Sequence, residues 1–568
     1  MSATQREFVS ATAKGKLKGQ NRIRLLGICF SAFFAAIAIQ AGQLTLLHRA
    51  APANPELAEH EPRQPRPDIV DRNGNVMATD ISVSSLFADP RKIIDVDEAV
   101  ELLTAQIPEL DSKGLRDKLT QPGRAFVWLK RQVGPELRDA IYNLGIPGVG
   151  FVDERKRVYP MGRLGAHTVG YVDVDTKGIA GIEKFLDDQG AIYTASLNEP
   201  TTHTSAPAQL AMDASVQQVV TDEVAKAVEK FKARAGGGII LNVHTGEIVA
   251  LASLPDYNPN ANDKRLTSEQ QNMLTSGVYE LGSVIKAVTF SMAIDAGTAS
   301  LASKYETGAP LQIGKFRIHD LHPHAVQTLE EVFTNSSNIG TAKMALAVGL
   351  DGHMDFLKRV GLLDRLVTEV PESAKPLLPR NWGKLASATA AFGHGFAVQP
   401  LQGLSVIADL VNGGMAVPPT FLKRSKEEAQ ALSHRLIKSE TSDVMRFLFR
   451  ENVTKGTGEF ADVLGYRVGG KTGTAEKVVH GRYSKDKVLC SFIGAFPMEN
   501  PQYAILVMLD EPQAAEGTHG FTTAGWNAVP TASKIIERAA PLLGITPQFT
   551  AEDLAKIAKQ AKAKQKNG

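Results

Sequence analysis

The chain has 568 residues, too many for a single core, and its length fits about three to four domain-sized units. It is 43% hydrophobic and 22% charged with a formal net charge of +2, a composition without the basic footprint that nucleic-acid binding needs. Its two cysteines, Cys29 and Cys490, exclude a disulfide framework, because Cys29 falls inside an apolar segment.

Residues 25–47, LLGICFSAFFAAIAIQAGQLTLL, run for 23 positions without a formal charge, enough to cross a bilayer with some tilt. Arg6, Lys14, Lys16, Lys18, Arg22 and Arg24 precede them, with no acid after Glu7. That asymmetry predicts a cytoplasmic basic tail over 1–24, one retained membrane anchor over 25–47, and a C-terminal bulk carried across the membrane. Ala36 and Ala38 also form the A-x-A pattern of a cleaved signal, but the apolar stretch exceeds a normal signal core.

Residues 48–65 contain Pro52, Pro55, Pro62 and Pro65 in a polar setting, an extended spacer. From 66 to 206 a β-rich pedestal is expected. It opens with RPDIVDRNGNVMA, where Asn73-Gly74 favours the tight turn of a hairpin, and it shows no helical period over 155–190 until GIEKFLDD. From Met212, VQQVVTDEVAKAVEKF has helical spacing, and GGIILNVHTGEIVALAS reads as two strands around a turn. Three further strand-like runs, YRVGGKTGTAEKV, VLCSFIGAFP and YAILVMLDEP, precede a closing helix in PTASKIIERAAPLLGI. Strands from both ends around a helical middle predict one α+β domain over 207–545, with its sheet joining the two termini. The Lys-rich tail 546–568 reads as solvated or frayed helix.

Within that domain, LGSVIKAVTF and the following SMAIDAG are apolar on every face of a helix, apart from small or hydroxylic residues and Lys286. Ser283 stands where a capping hydroxyl is common and is the i−3 neighbour of Lys286. A lysine held in apolar surroundings lowers its pKa until it can release a proton near neutrality. Next to a hydroxyl it is a general base beside a nucleophile. Ser336-Ser337-Asn338 follows a short helix started by a Thr328/Glu331 capping box, and Lys471-Thr472-Gly473-Thr474 opens a strand that Gly473 lets a ligand backbone approach closely. Ser-x-x-Lys, Ser-x-Asn and Lys-Thr-Gly in this order are each weak alone and strong together.

On this trio the chain resembles a class B penicillin-binding protein, a peptidoglycan D,D-transpeptidase, most similar to the division-specific FtsI type. The resemblance extends to RPDIVDRNGNVMA, GEIVALASLPDYNPN, SSNIG and GHGFAVQPLQ. It departs at Leu281, Val284 and Ile285. It implies a penicillin-binding, serine β-lactamase-like fold: an antiparallel sheet with helices on both faces, behind a dimerisation-like pedestal.

The resemblance further implies that Ser283 attacks the carbonyl between two D-alanines of a stem peptide while Lys286 accepts its proton. Ser336 would relay a proton to the leaving D-alanine, and Asn338 would hold Lys286 and the substrate amide. Lys471 would supply positive potential, Thr472 and Thr474 would bind the terminal carboxylate, and the N–H groups of Ser283 and Thr474 would form the oxyanion hole. The amine of a neighbouring stem peptide then accepts the acyl group, β-lactams are inhibitors, no cofactor is required, and an FtsW-type membrane glycosyltransferase polymerises the strands. None of Asn338, Asn381, Asn412 and Asn452 has a glutamate four residues before it, so the deacylating arrangement of class A β-lactamases is missing. The elongation-specific sister enzyme, a β-lactam sensor and a non-catalytic division scaffold remain alternatives.

Two clusters stand outside the trio. His319, His322 and His324 have spacing that could ligate a metal, but their proline and polar neighbours favour an active-site wall or a solvated loop. Glu516, His519 and Trp526 are either cleft-rim residues or loop packing.

Overall fold

The computed structural model describes residues 66–189, 206–261, 267–479 and 481–551, with Ile28, 30–35, Ala38, 553–555 and 557–558. The expected basic tail 1–24 and spacer 48–65 lie outside the described residues, as does most of the anchor. Its described positions are helical, and Ile28, Phe30, Phe33 and Phe34 are exposed. Among the described residues no helix is long and apolar enough to cross a membrane. Of the expected tail 546–568, described residues 551, 553–555 and 557–558 are helical.

The chain divides into two compact units, and residues 64–81 and 156–568 fall in one of them while 82–155 belong to the other. The 82–155 unit holds a core of Leu86, Val100, Leu103, Leu115, Leu129 and Ile141. Three helices supply much of it: Val96–Gln106, Ser112–Leu119 and Pro135–Tyr142. The β-rich reading passed over them because their apolar stripes are narrow. They are placed by local signals instead: Asp95 and Asp111 cap the first two through their carboxylates, and Pro135 starts the third.

In the larger unit the Asn73-Gly74 turn forms as expected, with Gly74 at φ +90° between strands that pair Ile69 with Ala78. Asp71 fixes it by accepting from the Asn73 and Asn75 N–H groups, both at 2.8 Å. Two arginines are buried nearby. Arg157 donates to Glu183 at 2.6 Å and to Asp80 at 3.2 Å, while Arg66 donates to Glu183 at 2.9 Å and to Asp187 at 2.7 Å. Glu183 is the shared hub and is fully buried.

The catalytic part of this unit is built on helix α1 (Ala214–Lys230), strands β1 (Ala235–Asn242) and β2 (Ile248–Leu254), helices α2 (Lys286–Asp295), α3 (Asn338–Val348) and α4 (Pro400–Val411), strands β3 (Gly469–Val479), β4 (Arg482–Phe496) and β5 (Tyr503–Asp510), and helix α5 (Ala528–Leu542). The sheet runs β3-β4-β5-β1-β2 and every neighbouring pair is antiparallel. Strands from the two ends of the domain therefore lie side by side, as the sequence predicts. Alternation divides the strands between two cores: Ile239, Leu241, Leu506 and Met508 face one, and Ile240, Ile505, Val507 and Phe492 face the other. The second core is closed by α1 and α5, while α2 and α4 contribute to the first. Gly236 and Gly238 let α1 pack closely, since a Cβ at either would meet Val228 or Val220 within 2.7 Å.

Removing the shared carboxylate leaves two buried guanidinium groups short of a partner. Glu183→Ala is expected to destabilise the larger unit by about 3–5 kcal/mol, read as a lowered denaturant midpoint. An unchanged midpoint would show that water replaces the carboxylate.

Candidate active site

The nucleophile segment meets the sheet at β3. Gly282 adopts φ +56°, and residues Gly282–Ile285 form a 3-10 turn that runs into α2. Ser283 lies inside this turn, and the cap positions of the turn and of α2 fall to Leu281 and Ile285, which corrects its expected role as a cap. Gly393 follows the turn closely, for a Cβ there would stand 2.1 Å from the Gly282 carbonyl.

α2 is buried from Lys286 through Ala293, and Phe290 stacks edge-on against Phe333 at 5.1 Å. Lys286 has zero exposure. Its Nζ donates to the Ser336 carbonyl at 2.5 Å and to Ser336 Oγ at 3.0 Å. Among the described residues it makes no hydrogen bond to Ser283. Burial holds its amine well below the ordinary lysine range, the Lys471 charge pushes the same way, and Asp320 opposes them.

The Thr328/Glu331 capping box forms as expected and starts Leu329–Thr334. The chain then turns at Ser336, whose φ of +58° is left-handed, before α3 starts at Asn338. This turn presents both oxygens of Ser336 to Lys286. Lys471, also fully buried, donates to Ser336 Oγ at 3.2 Å from the opposite side, and its Nζ sits 5.8 Å from the Phe333 ring centroid. Burial pushes the Lys471 ammonium down to about 7. With both amines donating to it, the Ser336 hydroxyl keeps its own proton for a third partner.

Lys471 through Thr474 pair with Ile493 through Cys490 on β4. Thr472 Oγ1 lies 2.6 Å from Thr457 Oγ1, and Thr474 Oγ1 accepts from the Ala524 N–H at 3.1 Å. The close approach at Gly473 is to the nucleophile turn itself: a Cβ there would meet the Leu281 carbonyl at 2.5 Å. Asn338 Nδ2 donates to the His319 carbonyl at 3.1 Å. The structure thus gathers Ser336, Lys286 and Lys471 around one oxygen, packs β3 on the Ser283 turn, and turns Asn338 toward the 319–324 loop.

Several neighbours carry no signal in the motif pattern. Glu280, three residues before Ser283, accepts from the Gly395 N–H at 3.1 Å and from Tyr483 Oη at 3.0 Å. Asn452 supports β3 from below through the Gly470 carbonyl at 2.8 Å. Spacing from the nucleophile could have drawn attention to Glu280. The others depend on segments distant in the chain.

His319, His322 and His324 are exposed, and the loop reaches the site through its backbone and Asp320. Among the described residues no three His, Cys, Asp or Glu side chains stand together as a metal site. Trp526 lies against Phe460, Phe521 and His519 at 5.3, 5.7 and 5.4 Å in the segment that donates to Thr474, whereas Glu516 is exposed.

Comparison with known proteins matches this architecture. Residues 236–531 fit the description "Penicillin binding protein transpeptidase domain", and residues 63–189 fit "Penicillin-binding Protein dimerisation domain". A relative from Caulobacter vibrioides named "Probable peptidoglycan D,D-transpeptidase FtsI" is 37% identical over 98% of this chain and 94% of its own length. "Probable peptidoglycan D,D-transpeptidase PenA" of Neisseria gonorrhoeae is 34% identical over 85% of each chain. "Peptidoglycan D,D-transpeptidase FtsI" of Escherichia coli is 30% identical over 80% of this chain and 81% of its own. With Lys286, Ser336 and Lys471 brought together beside strand β3 and a dimerisation domain matched ahead of the transpeptidase domain, the chain belongs to the penicillin-binding protein transpeptidases of class B.

Proposed function

We propose that this enzyme cross-links septal peptidoglycan through an acyl-enzyme on Ser283. The carrying observation is the fully buried Lys286 amine, held against Ser336 one helical step from Ser283. In the neutral form that burial favours, it takes the Ser283 proton as Oγ attacks the penultimate D-alanine carbonyl. The peptide C–N bond breaks, Ser336 gives its proton to the departing D-alanine nitrogen and takes the one that Lys286 gained from Ser283, and the acyl group stays on Ser283. An acceptor amine then attacks the ester, loses a proton to the same lysine–serine pair, and leaves as the cross-linked amide with the Ser283 hydroxyl restored.

Lys471 supplies the positive field for the substrate carboxylate, which Thr472, Gly473 and Thr474 line. When bound, that carboxylate raises the Lys471 pKa from its value of about 7 and keeps the amine charged. Asn338, through its position after the 336 turn, borders the substrate amide. The backbone N–H groups of Ser283 and Thr474 supply the oxyanion donors.

Residues 25–47 serve as the inner-membrane anchor, 1–24 as its cytoplasmic tail and 48–65 as a spacer. Residues 66–206 are the pedestal, 207–545 the transpeptidase domain and 546–568 the tail. Support for a septal role comes from the names of the relatives, and an FtsW-type glycosyltransferase supplies the glycan strands on which this enzyme acts.

Intact-mass analysis of the full chain in detergent after penicillin treatment should show one adduct, lost in Ser283→Ala. An adduct that survives this substitution would place the nucleophile elsewhere. Lys286→Arg puts a permanently charged group in place of the base, and should slow acylation by about 10²–10⁴-fold at every pH tested. For the parent, the acylation rate should rise with pH on the acid side as Lys286 loses its proton and hold its plateau at neutral pH. A rate that keeps climbing to the ordinary lysine value of about 10.4 would deny the amine its lowered pKa.

A further inference from the structure

A cavity of about 440 Å³ opens within the larger unit, and none of Ser283, Lys286, Ser336 and Lys471 lines it. Its size falls among cavities that enclose a compact organic ligand, about 300–1,000 Å³. One wall is aromatic: Tyr171 and His167 each meet Tyr257 edge-on, with ring centroids 5.6 and 5.1 Å apart. Two hydrogen bonds hold these rings. Tyr257 Oη donates to the Ala166 carbonyl and His167 Nε2 to the Gln270 carbonyl, both at 2.8 Å.

The fold accounts for the rings in this way, but it leaves three polar residues of the same lining with unspent capacity. Glu372 accepts from the Gly181 N–H at 3.2 Å and forms no ion pair among the described residues. Ala180, next to Gly181, is the cross-strand partner of Tyr171, which sets the carboxylate beside the aromatic wall. Arg365 is exposed and donates only to the Pro371 carbonyl, at 3.1 Å, and it too has no ion pair among the described residues. Two opposite charges thus line one cavity without meeting each other. Asn272 is buried, and its Oδ1 accepts from the Leu274 N–H at 3.0 Å, while its Nδ2 has no acceptor among the described residues. A buried donor left without a partner costs about 1–3 kcal/mol, so an acceptor brought by a ligand recovers that loss.

These groups define what would fill the cavity. A carboxylate beside aromatic rings suits an ammonium, a guanidinium suits a carboxylate, and an amide N–H suits a carbonyl. We propose that the cavity binds a short peptide with both ends free: its ammonium rests between Glu372 and the tyrosine wall, an amide carbonyl takes Asn272 Nδ2, and its terminal carboxylate pairs with Arg365. A free amino acid carries the same two charges but lacks the amide carbonyl. The site is separate from the acyl-transfer chemistry and does not rest on the roles given to Ser283 and Lys286.

The test is calorimetric titration of the full chain in detergent, after penicillin treatment to fill the catalytic cleft, with trialanine as the probe. N-acetyl-trialanine, trialanine amide and alanine are the controls. Trialanine should bind, and blocking either end or shortening the ligand to alanine should weaken binding by about tenfold or more. In Glu372→Gln, which keeps an acceptor for the Gly181 N–H, acetylation should no longer matter. In Arg365→Met, amidation should no longer matter. No heat from trialanine, or penalties for blocking the ends that persist in both variants, would overturn the site. Alanine binding as tightly as trialanine would overturn the peptide in favour of a free amino acid. Binding that occurs only before penicillin treatment would place the peptide in the catalytic cleft instead. The Arg365→Met comparison, at an exposed position, remains decisive where Glu372→Gln fails to fold. Whether penicillin acylates Ser283 is read separately by intact mass, so failure of that assignment and failure of this site give different results.

Discussion

A primary amine with no exposure at all is the constraint around which the catalytic region is arranged. An ammonium taken out of water loses several kcal/mol of solvation unless something replaces it, and among the described residues Lys286 donates to the oxygens of Ser336 alone. The neutral amine is the form that such a setting favours. Each surrounding feature either keeps water away from it or gives it something to do. α2 buries it along its length, the Phe290–Phe333–Phe449 stack closes the floor, and the Ser336 turn supplies oxygen where the apolar walls supply none.

The second buried lysine makes the arrangement chemically asymmetric. Two ammonium groups cannot both sit beside one hydroxyl without repulsion, so the pair carries less than its full charge at neutral pH. Lys471 lies on β3, opposite Ile493 of β4, and in the proposed function it meets the substrate carboxylate. Lys286 lies on the buried helix, which suits it to exchange a proton with its neighbours. In the proposed function the same residue type thus takes two roles by position, with Ser336, which both amines reach, as the group that carries the proton.

Much of this was legible in the chain. The α+β architecture followed from strand-like runs at both ends, and the sheet order β3-β4-β5-β1-β2 realises it. The buried helix followed from apolar residues on every face, and the trio of motifs named the groups that now surround Ser336. Other features escaped for identifiable reasons. The helices at 96–106, 112–119 and 135–142 run for only 11, 8 and 8 residues, too few turns for an apolar stripe to repeat often enough to be recognised. The 3-10 winding at Ser283 depends on the left-handed Gly282 and on the segment packed against it, neither of which has a local signature. Asp320 and Glu280 bond to residues of other loops and a distant strand, and a single sequence carries no record of such pairings.

The claim on which the account turns is that Lys286 is a neutral amine at the pH where the enzyme works. Carbon-13 labelling of lysine side chains, with Lys286→Arg to identify the resonance, reads that state directly as the shift of the carbon next to Nζ. The account predicts a neutral-amine shift at pH 7.5 and a titration midpoint well below the ordinary lysine value of about 10.4. A resonance that stays in the ammonium position up to that value would contradict it, and would leave Ser283 without its base.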